Sequence, residues 1–165
     1  MMKAVVNMAP PGATLLPPAP PTPGRGLPAY TCQGTGEQLV LVIEGSPTIQ
    51  KIIELTLGRE GYEVCCFRDG IDAMRWLAGP QAHLPDLLLV DLDLPKLDGY
   101  RVIQKLKAKP CLAHTTCLVL CEHKTPSRVE LEQMDVAGSL RKPFTIQELV
   151  MAVQTSRGSV LALEV

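Results

Sequence analysis

The chain reads as an α/β protein: a doubly wound (βα)5 fold whose five-stranded parallel sheet has the strand order 2-1-3-4-5. Three observations predict it. The run Leu87-Leu88-Leu89-Val90 leads into Asp91 without alternation, as in a strand buried on both faces. Similar apolar runs alternate with segments of helical spacing, which gives right-handed crossovers with helices on both faces of the sheet. The length of 165 residues suits one domain and a tail.

The tail comes first. Residues 1–37 hold Pro10, Pro11, Pro17, Pro18, Pro20, Pro21, Pro23 and Pro28, over half of the fifteen prolines, with Gly12, Gly24, Gly26, Gly34 and Gly36. A disordered Pro/Gly-rich segment with local polyproline II character is expected there. The folded domain is expected over 38–156, and 157–165 is a short apolar tail.

Gln38 to Ile43 is the first buried strand. Ser46 caps a helix with Pro47 in its first position, and Ile49, Ile52, Ile53 and Leu57 form its apolar stripe. Residues 62–67 are the second strand. Asp69-Gly70 turns into a helix carrying Ala73, Met74, Trp76 and Leu77, which Gly79-Pro80 ends. The third strand is 87–91. Pro95 and Asp98-Gly99 are turn chemistry before a helix over 100–108. Residues 117–121 are the fourth strand, and 126–134 a weak polar helix. Residues 139–141 are the fifth strand. Thr145 and Glu148 form a capping box for the last helix, with Ile146, Leu149, Val150 and Val153 facing in.

The formal net charge is −1, so no global field draws nucleic acid or an anionic membrane, and no apolar run approaches a bilayer span. The amino end lacks a signal-peptide pattern, so a cytoplasmic protein is expected. The six cysteines, Cys32, Cys65, Cys66, Cys111, Cys117 and Cys121, include no Cys-x-x-Cys pair and read as free thiols. His83, His114 and His123 show no ligand spacing and read as surface residues.

Asp91 lies where a buried strand reaches the surface, and such sheets bind ligands outside the carboxyl ends of their strands. In the 2-1-3-4-5 order the first and third strands are neighbours, so Glu44 and Asp91 share one edge of a cleft. Cys121 and Lys142 follow the fourth and fifth strands. Carboxylates beside a lysine suit a hard divalent cation and an oxyanion.

The pieces Val40-Leu41-Val42-Ile43-Glu44-Gly45-Ser46-Pro47, Asp86 to Gly99 and Leu140-Arg141-Lys142-Pro143-Phe144 resemble the receiver domain of bacterial two-component response regulators, over roughly residues 38–156. The resemblance implies a flavodoxin-like fold and phosphoryl transfer from a histidine kinase or phosphotransfer protein to Asp91. Lys142 is then the lysine that pairs with acceptor and phosphoryl oxygens, and Cys121 takes the place of the switch Ser/Thr. It also implies Mg²⁺ held by Glu44, Asp91 and Asp93 (backbone or side chain), and a downstream protein target on the face of helix four, strand five and helix five. It implies a signalling acceptor rather than an enzyme. With no output domain after Thr155, a stand-alone regulator that binds no DNA is expected.

Several positions depart from the family pattern. Gly45 stands where a second acid usually ligates Mg²⁺, so Glu44 or Asp93 would have to substitute. The Cys121 thiol is a weaker donor than the usual hydroxyl. Glu122 puts a negative charge beside the site where a small residue is usual, and Ser139 replaces a mobile aromatic. These features favour a second reading, a phosphorylation-independent pseudo-receiver. A flavin- or nucleotide-binding domain is a remote third, because Glu44-Gly45-Ser46-Pro47 offers one glycine and an acid where a phosphate would sit.

Overall fold

The structure, a computed structural model, describes residues 31–33, 38–79 and 83–158, the first three by their backbone alone. The tail readings for 1–30, 34–37 and 159–165 lie outside the described residues. In chain order the elements are β1 (Thr31–Gln33), β2 (Gln38–Ile43), α1 (Pro47–Arg59), β3 (Tyr62–Phe67), α2 (Gly70–Leu77) and β4 (Leu87–Asp91). Then follow α3 (Gly99–Lys107), β5 (Thr116–Cys121), α4 (Arg128–Met134), β6 (Gly138–Arg141) and α5 (Ile146–Gly158).

The sheet order is β1-β3-β2-β4-β5-β6. From β3 to β6 every pairing is parallel, which is the 2-1-3-4-5 order expected of the five main strands. One strand was not expected. β1 pairs antiparallel with β3 at the sheet edge and places Cys32 opposite Cys65 in the backbone register. Cys65 is disulfide-bonded, which corrects its reading as a free thiol. Cys66, Cys111, Cys117 and Cys121 are free.

Parity along the strands divides the core. Leu41, Ile43, Leu88, Val90 and Val119 lie in one layer with Val102, Ile103 and Leu106 of α3. Val40, Val42, Leu87, Leu89, Leu118, Leu120 and Leu140 lie in the other, against Ile53 and Leu57 of α1 and Leu149 and Val153 of α5. Every residue of β4 is buried. Each of its four apolar side chains contributes about 1.5–3 kcal/mol relative to exposure, so the central strand anchors the domain. The helical stripes are narrower than the sequence suggests. Ile52 and Ile146 are exposed, because the i, i+4 pairs Ile53/Leu57 and Leu149/Val153 take the sheet-facing positions.

Caps fall at the expected helix starts. The Ser46 and Asp69 side chains accept from the N–H groups of Ile49 and Asp72. Thr145 and Glu148 form their reciprocal box. A second box, Ser127 with Glu130, starts α4 and was not read from the sequence. No residue of α4 is buried, in keeping with its polar composition.

Asp98 caps α3 through Tyr100 N–H, and Gly99 brings that helix onto the strand end. A Cβ at Gly99 would lie 2.2 Å from the Asp91 carbonyl oxygen and 2.6 Å from Leu92 Cα, both rigid backbone. Gly99→Ala is therefore expected to destabilise the domain by roughly 2 kcal/mol or more through overpacking, read by urea denaturation. An unchanged midpoint would show that α3 moves aside freely.

Candidate functional site

The same parity builds the cleft. In β2 the face carrying Val40 and Val42 continues to Glu44. In β4 the face of Leu87 and Leu89 continues to Asp91, and beyond β6 the face of Leu140 continues to Lys142. The β2–β4 register ends at Ile43 opposite Val90, so Glu44 and Asp91 are the next pair beyond it. Three polar side chains thus converge at the carboxyl edge of the sheet, above a dry layer.

Lys142 Nζ lies 2.8 Å from Asp91 Oδ2 and 2.9 Å from Glu44 Oε2. All three groups are buried. The remaining carboxylate oxygens also have donors. Ser46 N–H donates to Glu44 Oε1 at 2.8 Å, and Asp93 N–H to Asp91 Oδ1 at 3.0 Å. Lys142 is itself fixed by its N–H to the Cys121 carbonyl, and the Lys142–Pro143 peptide is cis.

Burial pushes the Glu44 carboxyl above its ordinary range, outweighing the Lys142 ammonium and the Ser46 N–H. Burial works against the Lys142 ammonium, yet its bonds to Asp91 and Glu44 prevail and its pKa lies above that of an ordinary lysine. Both directions follow from one ammonium shared by two buried carboxylates.

Asp93 does not join this cluster. Its Oδ2 accepts from Glu122 N–H at 2.9 Å, and its Oδ1 lies 3.5 Å from His123 Nδ1. The Glu122 N–H holds the Asp93 carboxyl below the usual range, with His123 adding to the effect. The Asp93 side chain therefore ties the loop after β4 to the loop after β5, and only its backbone carbonyl is left to face the cleft expected to hold the metal. His123, read as a plain surface residue, belongs to this latch. Its only trace in the linear pattern is two polar loops at one sheet edge.

Cys121 sits in the core layer opposite to Asp91, and its thiol donates to the Leu140 carbonyl at 3.8 Å. It does not bond to Asp91. Beside Lys142 opens a groove of about 270 Å³, lined by Ile49, Ile52, Glu122, Lys142, Pro143 and Phe144.

The fold and cleft define a class: a doubly wound α/β domain with an acidic, lysine-capped cleft at its topological switch point. The sequence profile of the response regulator receiver domain matches residues 40–154, and the chain belongs to that family. Protein PilG of Pseudomonas aeruginosa is 30% identical over 118 residues, spanning 70% of this chain and 84% of PilG. The DNA-binding dual master transcriptional regulator RpaA of Synechocystis sp. is 29% identical over 116 residues, 70% of this chain and 47% of RpaA, so the chain spans about half of that relative. Among solved structures, the receiver domain of the sensor histidine kinase PA1611 of Pseudomonas aeruginosa matches with TM-score 0.63 and 30% identity over 73% of this chain and 98% of that one. That structure has a magnesium ion coordinated in its active site cleft. The Vibrio cholerae chemotaxis protein CheY4 shares the fold, with TM-score 0.65 and 24% identity over 72% of this chain and 98% of its own. No helix among the described residues is long and apolar enough to cross a membrane.

The residues present here fit such a metal poorly. Gly45 offers no side chain, both Glu44 oxygens are engaged, and Asp93 turns its carboxylate to the neighbouring loop. Among the described residues no three His, Cys, Asp or Glu side chains form a group able to hold a metal ion.

Lys142→Met would leave two buried carboxylates uncompensated and is expected to destabilise by about 3–5 kcal/mol at neutral pH. The gap should narrow toward about pH 5. A carboxyl with a raised folded-state pKa binds its proton more readily when folded, so protonating Glu44 relieves the variant. Urea denaturation of both proteins at the two pH values reads this, and a gap independent of pH would contradict the buried-charge account.

Proposed function

We propose that Asp91 accepts a phosphoryl group from the phosphohistidine of a sensor histidine kinase or a phosphotransfer protein. One observation supports this best: the Asp91 carboxylate stands at the end of the central strand with the Lys142 ammonium 2.8 Å away. In the transfer an Asp91 oxygen attacks phosphorus, the P–N bond breaks and its electron pair leaves with the imidazole nitrogen. Lys142 then neutralises charge on the phosphoryl oxygens. A cytoplasmic setting goes with a kinase partner of this kind. The signal would reach a downstream protein through the face made by α4, β6 and α5. The loosely held α4, with no buried residue, is the element there that small forces can shift.

A second reading, a pseudo-receiver that binds partners without phosphate, is favoured by the Cys121 thiol, which faces Leu140, and by Ser139 in β6, which has no ring to relocate.

Intact-mass analysis after incubation with a phosphoramidate donor decides between them, with Asp91→Asn as control. A single phosphoryl adduct on the native chain alone is the expected result. No adduct under any donor condition leaves the pseudo-receiver.

A further inference from the structure

The cleft has the outline of a divalent-cation site, yet its charge and donors are already balanced. Glu44 and Asp91 carry one negative charge each, and Lys142 returns one positive charge. A single net negative charge remains on these three groups, a weak pull on a dication that gives up its hydration reluctantly. Each carboxylate oxygen also has a donor: Lys142 and Ser46 on Glu44, Lys142 and Asp93 N–H on Asp91.

We propose that this receiver works without a divalent cation. The Lys142 ammonium is the standing counter-ion of the cleft, and Gly45 is the single ligand it lacks. The inference concerns cation binding and does not depend on whether Asp91 is phosphorylated.

Gly45 is not required by the backbone. Its φ lies outside the left-handed region, where Gly61 is the one glycine among the described residues. A Cβ at Gly45 would meet Pro95 Cδ at 3.5 Å and Cγ at 4.0 Å, ordinary contact distances. The position is half-buried, one residue beyond Glu44, at the mouth of the cleft. The backbone and the first side-chain atom therefore admit an aspartate there. It would bring the cluster to two net negative charges and add oxygens that no donor yet holds.

The test is titration of the full chain with Mn²⁺, free ion being read by its electron paramagnetic resonance signal, with Mg²⁺ as competitor. The native protein should show no saturable site at millimolar cation. Gly45→Asp should acquire one, with an affinity at least about tenfold above any residual native binding, since losing even an outer-shell partner commonly costs tenfold to a hundredfold in metal affinity. Adding Asp91→Asn to that variant should remove it. A saturable native site as tight as that of Gly45→Asp and sensitive to Asp91→Asn overturns the proposal. So does a folded Gly45→Asp variant, shown by native-like circular dichroism, that binds nothing.

Thermal unfolding of Lys142→Met supplies a second measurement. If the ammonium stands in for a cation, Mg²⁺ should raise the melting temperature of this variant and leave that of the native chain unchanged. An equal rise in both overturns the proposal.

Discussion

The structure depends on one shared ammonium. Lys142 lies beyond β6, while its partners lie beyond β2 and at the end of β4, so the cation reaches across the end of β5. Strands lie about 4.8 Å apart, which puts β6 roughly 10 Å from β4, and a long, flexible lysine stem is the side chain that spans such a gap. Unit charges 4 Å apart attract by about 4 kcal/mol at the effective dielectric of a protein surface, and burial opposes each of them. The three groups are tolerable only together. Their positions are fixed by the alignment of three strands, so the sheet register and the cleft are one constraint.

This explains the division between a dry interior and a polar rim. Below the cluster, β2, β4 and β5 are buried on both faces, in layers closed by α2 and α3 on one side and α1 and α5 on the other. Above it, backbone and side-chain donors take over. Ser46 N–H serves Glu44, Asp93 N–H serves Asp91, and Asp93 in turn serves the loop after β5. The Asp93 link gives that loop a restraint of its own, made from the acid two residues past Asp91. Cys121, turned toward Leu140, does not provide one.

The electrostatics also order the elements by how firmly they are held. β4 is wholly buried, and Gly99 seats α3 against the Asp91 carbonyl. α4 has a good amino-terminal box but no fully buried residue, and only the half-buried Leu131 and Met134 pack it against the core, so it is held less firmly than the other helices. The cleft is rigid on the side of α1, β2 and β4 and softer toward α4, which is the asymmetry that a signalling domain can use.

Much of this was legible in the chain. Continuous apolar runs determined β2, β4 and β5, because a strand buried on both faces leaves no other composition. Ser46, Asp69 and the Thr145–Glu148 box marked helix starts, because an orphan N–H at a helix end needs a nearby acceptor. The strand-end positions of Glu44, Asp91 and Lys142 followed from strand parity and sheet order. Tertiary structure alone decided which oxygens of Glu44 and Asp91 are already engaged and that Asp93 binds the neighbouring loop. It also decided that Cys121 faces the opposite core layer, and that Cys65 lies beside an antiparallel edge strand. These features depend on side-chain direction and on contacts between distant loops. A linear pattern carries the period of an element, but not which partner a polar atom meets once the loops close over the sheet.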